Sequence, residues 1–340
     1  MLDRLESGAS ARPAVVLCRA LWLVSALAGG IVLLLCLATV LAHQLIAPRF
    51  PVPARGVVLV TGASSGIGED SVRAIAADTS LQVFAGVRKQ ADAKRLTATY
   101  PGIQTLYLDV TSSHSIAAAV RQITNVSLSH GLPFVALVNN AGVQSDLPIE
   151  LQSSAADHFT FDVNVFGVLD TTRAFLPLLR QAGSGARIVN VGSLSGRVAP
   201  AGSATYSASK FAVEGLTDSL RREVEPFGIS VSLLEPGYVQ SKMGEKLHTA
   251  DAVASHYGVS EAEYSLYRHV FEAFFAMDRR NALAQNSQPP ATTTSVDIVH
   301  ALTSPRPQTR YLSAAADGMP AWFIALAARL LPDRIMDALM

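Results

Sequence analysis

Along the middle of this 340-residue chain, short runs of apolar and β-branched residues alternate with longer amphipathic stretches. The runs are GVVLV from Gly56, LQVFAGV from Leu81, TLYL from Thr105, FVALVN from Phe134, ARIVNV from Ala186 and SVSLL from Ser230. Strands that are apolar at nearly every position must be covered on both faces, and the stretches of helical length between them supply the cover. The pattern therefore predicts an α/β domain over 56–314, a doubly wound parallel sheet with helices on both faces. The alternation breaks at about 240–294, a segment of helical composition rich in Met, Phe, Tyr and His. It directly follows a strand, where an α/β sheet places the cover over its binding crevice. Residues 315–340 have the apolar spacing of one amphipathic helix, which can dock on the domain or lie at a membrane surface; docking is the more frequent outcome.

A different pattern precedes the domain. From Ala20 to Pro48 no Asp, Glu, Lys or Arg occurs, and the run exceeds the roughly 20 residues that span a bilayer core. It predicts a transmembrane helix over 20–47, after an N-terminal tail over 1–19. The alternative is a cleaved secretory signal, whose apolar part is only about 7–15 residues long. Arg4, Arg12 and Arg19 precede the run and Arg49 and Arg55 follow it, so charge does not orient it. Prolines at 48, 51 and 53 make 48–55 a hinge, and a chain starting near Arg55 is expected to keep the whole domain.

Charge and composition narrow the chemistry. The 27 basic and 27 acidic residues cancel, and no basic run offers the phosphate-neutralising surface that nucleic acid requires. Both cysteines, Cys18 and Cys36, lie in the N-terminal region, leaving the domain without a thiol nucleophile or thiolate ligand. The eight histidines are scattered, and no metal site is expected.

Directly after the first strand stands Thr61-Gly62-Ala63-Ser64-Ser65-Gly66-Ile67-Gly68, with a helical run behind it. Gly62 permits a tight turn, Gly66 lets backbone amides approach a pyrophosphate, and Gly68 lets helix and strand pack closely. At the end of the second strand, where a carboxylate would bind a ribose hydroxyl, the chain has Arg88 and Lys89. A guanidinium there suits a 2′-phosphate, so the expected cofactor is NADP(H). Farther on, Tyr206 and Lys210 sit at i and i+4 of a helical stretch and so share one face. A phenol is a poor base at neutral pH, and a neighbouring ammonium favours its phenolate. Ser193, at the end of the fifth strand, can hydrogen-bond a reacting oxygen, with Ser195 as its rival. Asn164 is a polar residue within an apolar helical run, and its carboxamide is expected to satisfy backbone and water near the lysine.

Together these residues resemble the short-chain dehydrogenase/reductase family over roughly Gly56 to Ala314. The resemblance implies a Rossmann-type fold and a catalytic tetrad of Asn164, Ser193, Tyr206 and Lys210. It implies cofactor contacts at Gly62, Ser64, Ser65, Gly66, Ile67 and Gly68, at Arg88 and Lys89, at Asp109 and Val110, and at Asn139, Ala141 and Gly142. It also implies contacts by Tyr206 and Lys210, and by Pro236, Gly237, Val239 and Ser241 after the sixth strand. Ser241 stands where members commonly have threonine. Ser65 stands where NADP-preferring members often have a second basic residue, so NAD(H) remains an alternative. The stretches TDSLRREVEPFGISVSLLEPGYV and HALTSPRPQTRY look like the branch of retinol dehydrogenases and membrane-bound hydroxysteroid dehydrogenases. That branch implies a membrane-anchored oxidoreductase acting on a lipophilic alcohol or ketone, with the membrane and a second copy of the chain as partners. The alternatives are an NAD-dependent epimerase and an inactive dinucleotide-binding scaffold or sensor.

Overall fold

The computed structural model describes residues 48–144, 146–239, 258–273, 291–316 and 319–339, with isolated positions 29, 30, 34 and 38. The chain divides into two compact units, residues 1–49 and 50–340. In the first, positions 29, 30, 34 and 38 are helical, and the rest of the expected span over 20–47 lies outside the described residues. Among the described residues no helix is long and apolar enough to cross a membrane.

The second unit is built on strands β1 (Gly56–Val60), β2 (Leu81–Val87), β3 (Gln104–Tyr107), β4 (Phe134–Asn139), β5 (Arg187–Val191), β6 (Ser230–Pro236) and β7 (Arg310–Ser313). They form one sheet in the order β3-β2-β1-β4-β5-β6-β7, and every pairing is parallel. The order reverses between β1 and β4, which makes the carboxyl end of that pair the topological switch point where such sheets bind ligands. All residues of β1, β4, β5 and β6 are buried, as the unbroken apolar runs predict. The expected Rossmann-type sheet is present. Its seventh strand, RYLS, carries no such signal: only alternate residues are buried at this sheet edge.

Helices α1 (Gly66–Asp78), α2 (Gln90–Thr99), α3 (Ser113–His130), α4 (Ser154–Phe161), α5 (Gly167–Ala182), α6 (Ala204–Val224), α7 (Glu261–Leu266) and α8 (Thr292–Thr303) follow in chain order. Two apolar cores lie on opposite faces of the sheet. One joins Val58, Val60, Ile75 and Leu96 to Ile298 of α8; the other joins Leu59, Phe84, Phe175, Leu179 and Ile188. Each strand alternates its side chains between the two, which is why no polar position interrupts the runs.

Two expectations change. The tail beyond 314 is not one helix: a hairpin of Ala315–Ala316 with Met319–Pro320 precedes α9 (Ala321–Leu330), and α10 (Asp333–Leu339) follows. Pro332 forces the break, because it pushes the residue before it out of the helical region: Leu331 has ψ 142°. Helix α9 docks on the domain, packing Ala321, Ile324 and Ala325 against Leu194. The hinge, in turn, is not a free spacer from Phe50 onward. Phe50 N–H donates to Pro305 O at 2.9 Å, and the buried Arg187 donates through Nη2 to Pro51 O at 2.9 Å and Ser304 O at 3.1 Å. Burial lowers the Arg187 pKa to about 10, so the carbonyls of this segment stabilise a charge that would otherwise be costly in the interior.

Candidate active site

The cradle forms where β1 gives way to α1. Gly62 has φ +64°, and a Cβ there would come within 2.7 Å of Ala141 Cα, so only glycine admits both the turn and the approach of the loop after β4. A Cβ on Gly68 would come within 2.4 Å of both Asn140 Nδ2 and Gly62 O. Asn140 locks the pair of turns by donating through Nδ2 to Thr61 O at 2.9 Å and Gly62 O at 3.1 Å. Thr61 Oγ1 accepts from Asn140 N and Ala141 N, each at 3.0 Å. At the start of α1 the preceding residue Ser65 makes no side-chain cap, so the first-turn amides are left for an anionic ligand such as a pyrophosphate. The turn thus fits the phosphates of a dinucleotide.

The rim is more basic than the motif alone suggests. Arg88 and Lys89 are exposed at the end of β2. Arg95 of α2 reaches across to donate to Ser64 O at 2.7 Å while gripping Glu69 through two hydrogen bonds at 2.6 and 2.8 Å. Glu69 would otherwise place negative charge in the first turn of α1, and Arg95 neutralises it. Asp109 accepts from Thr111 N at 3.0 Å and Thr111 Oγ1 at 2.7 Å. Desolvation opposes its ionisation, but the Thr111 bonds and the Arg88 charge hold its pKa below the usual value. Val110 is buried beside it, where a Cβ on Gly167 would meet Val110 Cγ2 at 2.8 Å. The Asn139 carboxamide donates to Thr172 Oγ1 and Asn190 Oδ1, each at 2.9 Å, and so ties β4 to β5 and α5.

The tetrad candidates converge at the carboxyl ends of β4, β5 and β6. Asn164 lies in a π-helical turn, Asp162–Phe166, between α4 and α5, a rare bulge that frequently marks functional positions. Its Oδ1 accepts from Val143 N at 2.8 Å, and its Nδ2 donates to Val143 O at 2.9 Å and Ser209 Oγ at 3.0 Å. Ser209 in turn donates to Tyr206 O at 2.6 Å, a link in α6 that no spacing rule singles out. A Cβ on Gly142 would lie 3.4 Å from Asn164 Oδ1 and 3.7 Å from Lys210 Nζ, so both side chains border the loop after β4. Lys210 is buried and donates to Val191 O at 3.0 Å; burial alone lowers its pKa to about 8. Its Nζ lies 5.7 Å from the centre of the Tyr206 ring.

Tyr206 is half-buried, and its pKa is pushed up to about 12 chiefly by burial, against a hydrogen bond from Ser193 that lowers it. The Asp146 charge raises it further. At that value the phenol carries its proton at neutral pH. Of the two serines, Ser193 engages Tyr206, while the backbone N–H of Ser195 donates to Ser193 Oγ at 3.1 Å and orients it. Beside them, Pro236 ends β6 and Gly237 N–H donates to Ser313 O at 2.9 Å. Val239 is buried, and Ser241 lies outside the described residues.

The expected cover over 240–294 is described only in part, at 258–273 and 291–294. There Val259 and Phe271 form an apolar cluster with Leu147, flanked by Leu151, Tyr264 and Tyr267. A Cβ on Gly202, just ahead of α6, would meet Val270 Cγ1 at 3.1 Å. An apolar wall thus stands beside Asp146 and the turn ahead of α6.

Comparison with known proteins decides the family. The profile of the short chain dehydrogenases matches residues 56–252. The chain belongs to the short-chain dehydrogenase family. It is 34% identical over 287 residues to 17-beta-hydroxysteroid dehydrogenase type 6 of Bos taurus, covering 83% of this chain and 87% of that one. It is 33% identical over 290 residues to retinol dehydrogenase 16 of Homo sapiens, with the same coverage. Among solved structures, a short-chain dehydrogenase from Streptomyces avermitilis matches with TM-score 0.61 and 28% identity over 84% of this chain and 95% of that one. As a short-chain dehydrogenase related to retinol and hydroxysteroid dehydrogenases, the chain is an NAD(P)-dependent oxidoreductase acting on a CH–OH group. The alternatives of an epimerase and an inactive scaffold fall away with that assignment.

Proposed function

We propose that this short-chain dehydrogenase moves a hydride between NADP(H) and a lipophilic alcohol or ketone of steroid, retinoid or other lipid type, and that a transmembrane segment over 20–47 anchors it. The observation that carries the reading is the meeting of Tyr206, Ser193, Lys210 and Asn164 at the carboxyl edge of the sheet, beside the glycine cradle and next to an apolar wall. The cofactor, when bound, supplies or accepts the hydride. In the reducing direction the Ser193 hydroxyl holds the substrate oxygen, and Tyr206 gives it a proton as negative charge develops. A phenol whose pKa is pushed up to about 12 is protonated and ready for that donation at neutral pH. Lys210 carries the positive charge that stabilises the phenolate left behind, and its pKa near 8 keeps it charged below that pH.

Three further points support the finer reading. Arg88 and Lys89 at the end of β2 suit a 2′-phosphate, and Arg95 removes the repulsion of Glu69 from the same rim. The relatives named for steroids and retinol match over most of the chain. The charge-free run over 20–47 would keep the protein where lipophilic substrates partition.

The test is a panel of steroid, retinoid and aliphatic carbonyl compounds, assayed with NADPH and NADH on the full-length protein in detergent. Turnover of hydrophobic ketones, faster with NADPH, is expected. Replacing Arg88 by Asp should cut the preference for NADPH over NADH by about 10-fold or more, because a charge-assisted contact becomes a repulsion. Turnover confined to small polar carbonyls would refute the substrate class, and an unchanged preference in the Arg88 variant would refute the cofactor assignment.

A further inference from the structure

Behind the tetrad lies a second group of charges that the chemistry does not use. Glu235, fully buried in β6 immediately before Pro236, accepts through Oε1 from Arg197 Nε at 2.7 Å and from Arg310 Nη1 at 3.1 Å. Arg310 opens β7 and also bonds Glu214 and, at 2.8 Å, Asp218, both of α6. Arg197 Nε lies 3.7 Å from Glu214 Oε2, and Arg221 pairs with the outer side of Asp218 at 3.1 Å. Two carboxylate oxygens, Glu214 Oε1 and Glu235 Oε2, have no hydrogen-bond partner among the described residues. Burial, together with Glu235 beside it, raises the Glu214 pKa to about 8.

Arg197, Glu214 and Asp218 come from the two elements that present Ser193, Tyr206 and Lys210. Arg197 ends the turn that starts at Ser193. Glu214 and Asp218 continue the stripe of Tyr206 and Lys210 along α6 at steps of four residues, which places all four on one helical face. Glu235 precedes the Pro236–Gly237 loop. The approach is close: a Cβ on Gly196 would stand 3.1 Å from both Lys210 O and Glu214 Oε1. Replacing a buried ion pair by apolar residues is often neutral or stabilising, so stability alone is a weak reason for such a group, whereas its directional bonds can select one geometry.

We propose that Arg197, Arg310, Glu214 and Glu235 form an ionic bracket that fixes the Ser193 turn and the Pro236–Gly237 loop against the Tyr206–Lys210 face, with Arg197 and Glu235 as positioning residues for the redox reaction. The bracket touches none of the reacting groups and acts through the placement of Ser193 and Tyr206; it rests on the reading that these two handle the substrate oxygen. A misplacement of about 1 Å can cost 100-fold in rate.

The test uses full-length Arg197→Met, Arg197→Lys and Glu235→Gln, each alone and with Tyr206→Phe, measuring kcat, KM, NADPH affinity and melting temperature with a hydrophobic ketone. Arg197→Met should lower kcat about 10-fold or more while the NADPH dissociation constant changes less than about 3-fold, and Arg197→Lys should recover part of the loss. In the Tyr206→Phe background Arg197→Met should have little further effect, since groups acting as a unit are not additive. Glu235→Gln should follow Arg197→Met, and if it fails to fold the Arg197 series decides alone. The bracket is overturned if Arg197→Met lowers the melting temperature but leaves kcat intact, or if its effect multiplies fully with that of Tyr206→Phe. High activity in Tyr206→Phe alone would instead contradict the assignment of the proton donor.

Discussion

Two polar networks join the sheet to its helices and turns, and they differ in kind. Between β4, β5, α5 and α6 the network is neutral: Asn139 bonds Thr172 and Asn190, and Asn190 Nδ2 donates to Thr217 Oγ1 at 2.9 Å. Between β6, β7, α6 and the Ser193 turn it is ionic, built from Arg197, Glu214, Asp218, Glu235 and Arg310. The neutral network lies beneath the glycine cradle, where backbone must approach a ligand closely and fixed charge would interfere. The ionic network lies behind the Tyr206 face, where the Ser193 turn and the Pro236–Gly237 loop meet α6. Amides hold strands together wherever they are. Charges, whose isolated burial is expensive, tolerate fewer alternatives. The comparison teaches that this fold separates binding from proton handling and gives each its own kind of support.

That division can be broken from either side. The largest effect should come from Tyr206→Phe, which removes the proton donor without touching the cradle. Turnover is expected to fall at least about 100-fold with NADPH affinity nearly unchanged, measured by steady-state kinetics and cofactor fluorescence. More than about a tenth of the wild-type rate would reject the assignment. Next, Gly68→Ala puts a methyl group 2.4 Å from Gly62 O, and backbone cannot yield as a side chain can. Cofactor affinity should drop by roughly 10-fold or more, the scale of about 1.4 kcal/mol; titration calorimetry showing wild-type affinity would break the account of the cradle.

Two smaller effects sharpen the picture. A chain starting at Phe50 keeps the carbonyls that receive Arg187, whereas one starting at Arg55 removes Phe50 and Pro51. Losing a partner of a buried charge costs about 1–3 kcal/mol, so the shorter chain should melt several degrees lower; equal melting temperatures would show that these contacts contribute nothing. The smallest effect concerns pH. Folded Glu214 keeps its proton up to about pH 8, against an ordinary value of 4.5. Between those values the folded state binds more protons than the unfolded one, so this residue makes stability decline as pH rises, and the decline stops above about 8. Glu214→Gln should flatten that slope by a few degrees of melting temperature between pH 5 and 8. A slope identical to wild type would mean that the Glu214 pKa is not raised in the folded protein.

Much of this was legible in the sequence, for reasons that are themselves physical. A parallel strand covered on both faces is apolar throughout, so β1 to β6 announce themselves. The glycine turn and the Tyr206–Lys210 pair depend on fixed local spacing and can be read without knowing what folds near them. Strand β7 escapes because four residues at a sheet edge carry too little pattern. The pKa of Tyr206 depends on how the phenol is buried, which the surrounding packing sets and one sequence does not show. The partners of the Asn139 carboxamide, Thr172 and Asn190, could not be read because residue type does not reveal which neighbours a side chain meets. Arg95, Ser209, Arg187 and the bracket draw partners from distant parts of the chain; Arg310 and Glu214 are neighbours only because β7 lies beside β6 and α6 crosses behind them. Pairings of that kind have no signature in one sequence.

The central claim is that the cofactor and the substrate carbon exchange a hydride directly while the protein manages the proton. The most direct measurement incubates the full-length protein with a hydrophobic ketone and NADPH carrying deuterium at both C4 positions, in ordinary water, and analyses the alcohol by mass spectrometry. The account predicts one deuterium bound to the carbinol carbon and a hydroxyl proton drawn from water. Alcohol formed without deuterium at that carbon would contradict it.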